Sequence, residues 1–137
     1  MKENISKHIS YKEATFSNTA KARKIDNTPD ADTLVRMKLV SEKCFEPLRE
    51  WYGKPIKINS FYRSPKLNIA VGGSKTSQHV KGEAIDLTAG SVEENRKLYK
   101  WICDNLEFDQ AIWEYGGRWI HISYKINGNR NMKFNIV

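Results

Sequence analysis

Between Ala31 and Tyr52 the apolar residues Leu34, Met37, Val40, Cys44, Leu48 and Trp51 recur at spacings of three and four. That period lays one apolar stripe along a helix, with Asp30 or Asp32 as its N-cap and Gly53 just past its end. Pro47 falls inside it and predicts a kink, because proline lacks the amide donor and crowds the preceding turn. Ser10 and Glu13 have capping-box spacing, so an earlier helix is expected over Tyr11 to Ala22. Ser91 and Glu94 repeat the signal and start a helix to about Leu106, with Leu98, Trp101 and Ile102 as its buried stripe. Elsewhere the period drops to two. Lys54 to Ser60, Glu83 to Thr88, Asp109 to Tyr115 and Arg118 to Lys125 read as strands, and Met132 to Ile136 as a short last one. The expected fold is one α+β domain over residues 1–137, with helices packed on one face of a small, mainly antiparallel sheet.

Alternation also brings chemistry to one side. Along Glu83 to Thr88, Ala84, Asp86 and Thr88 share a face, while Glu83, Ile85 and Leu87 take the other. Gly82 allows a sharp turn before this strand, which would fold the loop carrying His79 back towards the Asp86 carboxylate. An imidazole and a carboxylate can hold a metal ion but do not complete its shell. His8 precedes the first helix with nothing to bring it near, whereas His121 lies in the alternating run Trp119 to Tyr124. His79, Asp86 and His121 would give zinc three protein ligands and leave a fourth position open, the pattern of a catalytic site.

Composition narrows the partners. The 137 residues carry 23 Lys+Arg against 16 Asp+Glu, a net charge of +7 that suits anionic partners such as nucleic acid, lipid headgroups or a bacterial wall and by itself does not choose among them. The basic residues are scattered and form no recognition motif, so no specific nucleic acid is expected. Cys44 and Cys103 have no CxxC partner and read as buried free thiols. The N-terminus is charged, and no apolar run approaches a signal h-region or a membrane span; synthesis in the cytoplasm without a signal peptide is the expectation, as a monomer.

The string Ser77-x-His79-x-x-Gly82-x-Ala84-x-Asp86, followed by Trp119-x-His121, resembles the zinc D-Ala-D-Ala peptidase family, the LAS metallopeptidases. The resemblance spans about Pro55 to Tyr124, and hedgehog domains share the family's fold. It implies one zinc ion on His79, Asp86 and His121. It also implies a peptidoglycan stem peptide as substrate, cut next to a D-amino acid by a D-Ala-D-Ala carboxypeptidase-like enzyme or a phage endolysin released by a holin. Ser60-Phe61-Tyr62-Arg63-Ser64 resembles the family's Ser-x-Tyr-Arg-Ser motif, which implies that Arg63 offers its fork of donors to a carboxylate or a developing oxyanion. A cytoplasmic D-Ala-D-Ala dipeptidase and a non-catalytic zinc-bearing binding module are the alternatives.

One position departs from the pattern. Many members carry Asp or Glu three residues before the last histidine ligand, and here that residue is Arg118. A two-residue turn at Gly116-Gly117 would pair Tyr115 with Arg118, Glu114 with Trp119, Trp113 with Ile120 and Ile112 with His121. Glu114 would then be a diagonal neighbour of His121 at roughly 7–8 Å, the expected catalytic base, with Glu83 the weaker candidate. Ser77, Gln78 and Ser123 are expected to bond substrate or orient the ligands. Trp119, with Trp113 and Tyr115, is expected to wall a peptide cleft or to fill the core.

Overall fold

The computed structural model describes residues 4–136; Met1, Lys2 and Glu3 of the charged N-terminus, and Val137, lie outside the described residues. Ser10 Oγ accepts the Glu13 amide and the Glu13 carboxylate returns to the Ser10 amide, but the helix so capped, α1 (Tyr11–Thr15), is short. Ser17 Oγ accepts the Ala20 amide and starts a separate α2 (Asn18–Arg23). Two caps seven residues apart thus divide the single helix expected there, with Phe16 extended between them.

Asp30 caps α3 (Ala31–Val40) through the Thr33 amide. The chain then widens into a π-helical turn over Ser41–Phe45 before α4 (Glu46–Tyr52). Pro47 is the physical reason, since it has no amide to give and its ring crowds the turn before it. The expected kink is taken up as a wider turn in which the Glu46 amide reaches back to the Ser41 carbonyl. Met37, Val40, Cys44 and Leu48 remain fully buried across it. Trp51 falls outside the buried stripe and stacks on Trp101 at the surface, ring centroids 5.2 Å apart. Burial pushes the Cys44 thiol up to about 12, so it is an inert core group.

The remaining elements are β1 (Lys57–Ser60), α5 (Pro65–Ala70), β2 (Ala84–Thr88), α6 (Val92–Asn105), β3 (Gln110–Glu114), β4 (Trp119–Ser123) and β5 (Met132–Ile136). The strands form one sheet in the order β1-β2-β4-β3-β5, antiparallel except for β5, which runs parallel to β3 at the edge. Ile85, Leu87, Ile120, Ile122 and Ala111 pack with Met37, Val40 and Leu48, and with Leu98 and Ile102 of α6, in one apolar cluster. Each such aliphatic side chain contributes roughly 1.5–3 kcal/mol by leaving water, which fixes the opposite face of the sheet as the open one. Ser91 caps α6 as expected, but the Glu94 carboxylate turns to the Tyr52 hydroxyl and Lys97 instead of back to the cap.

The β3–β4 register pairs Ile112 with His121, Trp113 with Ile120 and Glu114 with Trp119, as the hairpin reading requires. The turn itself is longer. Tyr115 takes a positive φ of 47° and donates its amide to the Ile136 carbonyl instead of pairing with Arg118. A four-residue loop has the same parity as a two-residue one, so no side chain changes face. Asn95, fully buried on α6, ties this turn down through the Gly117 carbonyl at 2.8 Å. Among the described residues no helix is long and apolar enough to cross a membrane.

Candidate metal centre

Asp86 and His121 are direct cross-strand partners on β2 and β4, so two strands of fixed register deliver a carboxylate and an imidazole to one point on the open face. His79 arrives from the turn preceding β2. Its carbonyl accepts the amides of Gly82 and Arg63, and Glu83 donates its amide to the Gln78 carbonyl, which closes the loop over the strand start. Gly82 has a φ of +73°, and an added Cβ would meet Met37 Cγ at 2.7 Å and Thr33 Cγ2 at 2.9 Å. Only glycine meets both demands without strain.

The three side chains are nearly enclosed, His79 3% exposed and the other two 8%. One donor atom from each lies within 4.8 Å of the others. His79 Nε2 stands 3.2 Å from Asp86 Oδ2, and His121 Nδ1 stands 3.1 Å from Asp86 Oδ1. His79 donates Nδ1–H to the Phe61 carbonyl at 2.7 Å, which leaves a bare Nε2. That Nε2 has no hydrogen-bond partner although it is buried, since its approach to Asp86 lacks hydrogen-bonding direction. An orphaned ring nitrogen facing a carboxylate oxygen is an arrangement that a metal cation between them would satisfy, and two imidazoles with one carboxylate suit zinc. Burial alone would raise the Asp86 pKa, but the imidazoles of His79 and His121 hold it well below the carboxylate range.

The cluster opens onto a cleft of about 1140 Å³ lined by Arg63, Ser77, Gln78, Glu114, Tyr115 and Trp119, among others. Glu114 is half-buried, and its Oε2 accepts the Trp119 indole N–H at 2.9 Å. Burial and the neighbouring Asp86 raise its pKa, against the opposing pull of His121. Arg118 is exposed on the turn and lines no part of the cleft. Glu83 also borders the cleft, but its Oε1 is buried without a partner, and desolvation raises its pKa among Lys81, Lys125 and Arg36.

Arg63 gives Nη1–H to Asn68 Oδ1 at 2.9 Å, and Asn68 in turn donates to the Ser74 carbonyl. Gly73 lies so close that any Cβ there would run into both side chains. Burial works against the Arg63 charge while Asp86 and Glu114 favour it, which places the guanidinium within electrostatic reach of the cluster. Asn27 brackets the same segment, donating to the Thr15 and Tyr62 carbonyls and accepting the Ser64 amide.

The other expected contacts divide. Ser77 borders the cleft, its Oγ accepting the His79 amide at 3.2 Å. Trp119 walls the cleft, as does Tyr115, while Trp113 turns away towards Tyr99. Ser123 is fully buried behind the site and its Oγ accepts the Gln110 amide, so it faces backbone rather than the cleft. Gln78 spans His121 and Asp109. Asn27, Asn68 and Asp109 carried no signal in the sequence, because each acts through partners 5 to 37 residues away that only folding brings close.

No curated protein matches the chain. The sequence profile of the Peptidase M15 family, however, matches residues 7–123, which include every strand of the open face except the edge strand β5. With the convergent His79, Asp86 and His121 beneath an open cleft, this match places the chain in the Peptidase M15 family, whose members are zinc-dependent metallopeptidases.

Proposed function

We propose that residues 1–137 form one catalytic domain that hydrolyses peptidoglycan stem peptides next to a D-amino acid, using zinc held by His79, Asp86 and His121. The observation that carries this reading is the convergence of those three donors at the floor of a cleft that also presents Glu114 and Arg63. Zinc bound there supplies Lewis acidity, polarising a carbonyl and lowering the pKa of water towards about 7.

The protein's own groups do the rest. Glu114, with a pKa raised by burial, takes a proton from the attacking water and returns it to the leaving amine nitrogen. The Trp119 indole holds one carboxylate oxygen and leaves the other for proton transfer. Arg63, braced by Asn68, directs its remaining N–H groups at the carbonyl oxygen as charge builds there, or at a terminal carboxylate of the peptide. Trp119 and Tyr115 exclude water from one wall. The cleft is also lined by Phe16 and Lys125, more surface than a free dipeptide would fill, which favours a stem peptide or an intact wall.

Incubating zinc-loaded protein with purified muropeptides, intact sacculi and free D-Ala-D-Ala, and identifying products by mass, tests the proposal. Chelator-sensitive cleavage of stem peptides, lost in His79→Ala, is the expected result. Cleavage of the dipeptide alone would reassign the enzyme as a dipeptidase. Zinc binding with no cleavage of any of the three would leave a binding module.

A further inference from the structure

Gln78 lies between the metal cluster and the Asp109–Arg130 ion pair, whose carboxylate is buried and whose guanidinium is exposed. Its Nε2 donates to Asp109 Oδ2 at 2.7 Å, and its Oε1 lies 3.3 Å from His121 Nε2. An ionised carboxylate only accepts hydrogen bonds, so the amide must turn its nitrogen to Asp109 and its oxygen to His121. That oxygen also only accepts, so His121 Nε2 carries a proton. With Nε2–H held there, Nδ1 is the nitrogen that can exchange its contact with Asp86 Oδ1, at 3.1 Å, for a metal ion.

Asp109 is itself immobilised. Its side chain is fully buried; Arg130 donates Nε–H to Oδ1 at 2.9 Å, Nη2–H to Oδ2 at 2.7 Å and its amide to Oδ1 at 3.2 Å. The Asp109 backbone bonds the Ser123 carbonyl on β4 and the Met132 amide on β5. The bidentate fork leaves the carboxylate one direction in which to accept Gln78, and that direction sets the amide.

We infer that Arg130, Asp109 and Gln78 are positioning residues that act in series on His121, reserving its Nδ1 for the metal. The Phe61 carbonyl does the same for His79 by taking Nδ1–H and leaving Nε2. Two rings thus turn opposite nitrogens, His79 Nε2 and His121 Nδ1, to the two oxygens of one carboxylate. Without Asp109 the Gln78 amide can turn over and offer N–H to Nε2, so that the ring keeps its proton on Nδ1 against Asp86, and that proton must be expelled before a metal binds.

The test is zinc affinity, measured by competition with a chromogenic chelator, beside ring ¹⁵N NMR of His121 in zinc-free protein; it rests on the zinc site proposed above. Gln78→Leu and Asp109→Asn should each weaken zinc by about 10–100-fold, the range typical of groups that orient ligands. His121 Nε2, protonated in the wild type, should lose that proton at least in part in both. The double variant Gln78→Glu with Asp109→Asn restores an acceptor for His121 and a donor to hold it, and should recover most of the affinity. Asp109→Asn also loosens the 124–131 loop, so Gln78→Leu, which leaves the Asp109–Arg130 pair intact, is the cleaner variant. Folded variants with wild-type zinc affinity and an unchanged Nε2 protonation of His121 would overturn the inference while the zinc site stands. Wild-type protein that binds no zinc would overturn both.

Discussion

Glu114 and Trp119 face each other across the β3–β4 ladder, and the indole N–H of Trp119 reaches Glu114 Oε2 at 2.9 Å. The tryptophan therefore does more than wall the cleft: it fixes the rotamer of the carboxylate proposed as base. Trp119→Phe keeps the ring and removes the donor. The turnover number should fall about tenfold with zinc content and KM little changed, since a free rotamer costs on the order of 1–1.5 kcal/mol of pre-organisation. Steady-state kinetics on a stem peptide checks this, and an unchanged kcat would detach the indole from catalysis.

Removing the base is a sharper experiment. Glu114→Gln preserves shape and the bond to the indole but cannot carry a proton, so kcat should drop by about 10²–10⁴. Zinc stoichiometry, read by elemental analysis, should stay at one. Retained activity would transfer the role to another group, with Glu83 the nearest alternative on the cleft.

Arg63→Lys tests the fork. Lysine keeps the charge but has neither the planar donor pair nor the Nη1–H bond to Asn68, so kcat/KM should fall by about 10–100-fold. A loss seen in KM alone would mean that the guanidinium binds a substrate carboxylate equally in ground and transition states. A loss in kcat would mean that it meets the oxyanion.

Gly82 is a purely structural test of the turn that delivers His79. Gly82→Ala puts a Cβ against Met37 and Thr33 at a φ of +73°, and should destabilise the fold by about 1–3 kcal/mol. Thermal melts of the zinc-free protein read this directly. A melting point equal to wild type would show that the turn has room the geometry denies.

Acid should expose the Asp109–Arg130 pair. Its hydrogen bonds to Arg130 hold the Asp109 carboxyl at about 2, below the ordinary 3.8. A group whose folded pKa is depressed stabilises fully above the unfolded value and loses that contribution as pH falls towards the folded one. The pair's share of stability is thus complete above about pH 4 and decays between there and about pH 2. In Arg130→Gln that decay should be smaller, because the folded pKa returns towards the unfolded one. Melts across this range in both proteins make the comparison; parallel curves would refute it.

Local pattern was sufficient for much of the site. Alternation along β2 and β4 determined that Asp86 and His121 leave the sheet on the side opposite Ile85 and Ile120. The parity of the hairpin carried Glu114 to that side whatever the exact turn. A period of two is a property of the backbone, and it survives errors in loop length. The α3–α4 stripe was legible for the same reason, its period of 3.6 outlasting the widened turn before Pro47.

What the sequence left open depends on groups that no period relates. The break at Phe16 arose from competition between two caps, Ser10 and Ser17, each satisfactory alone. Ser123 has the parity of a site residue, yet the Gln110 amide claims its hydroxyl and it lies behind the cleft. The brace of Asn68 on Arg63 and the line from Arg130 through Asp109 and Gln78 to His121 exist only once distant segments meet. A buried polar side chain must find whatever partner the packed chain brings to it, and its identity is therefore decided by tertiary structure.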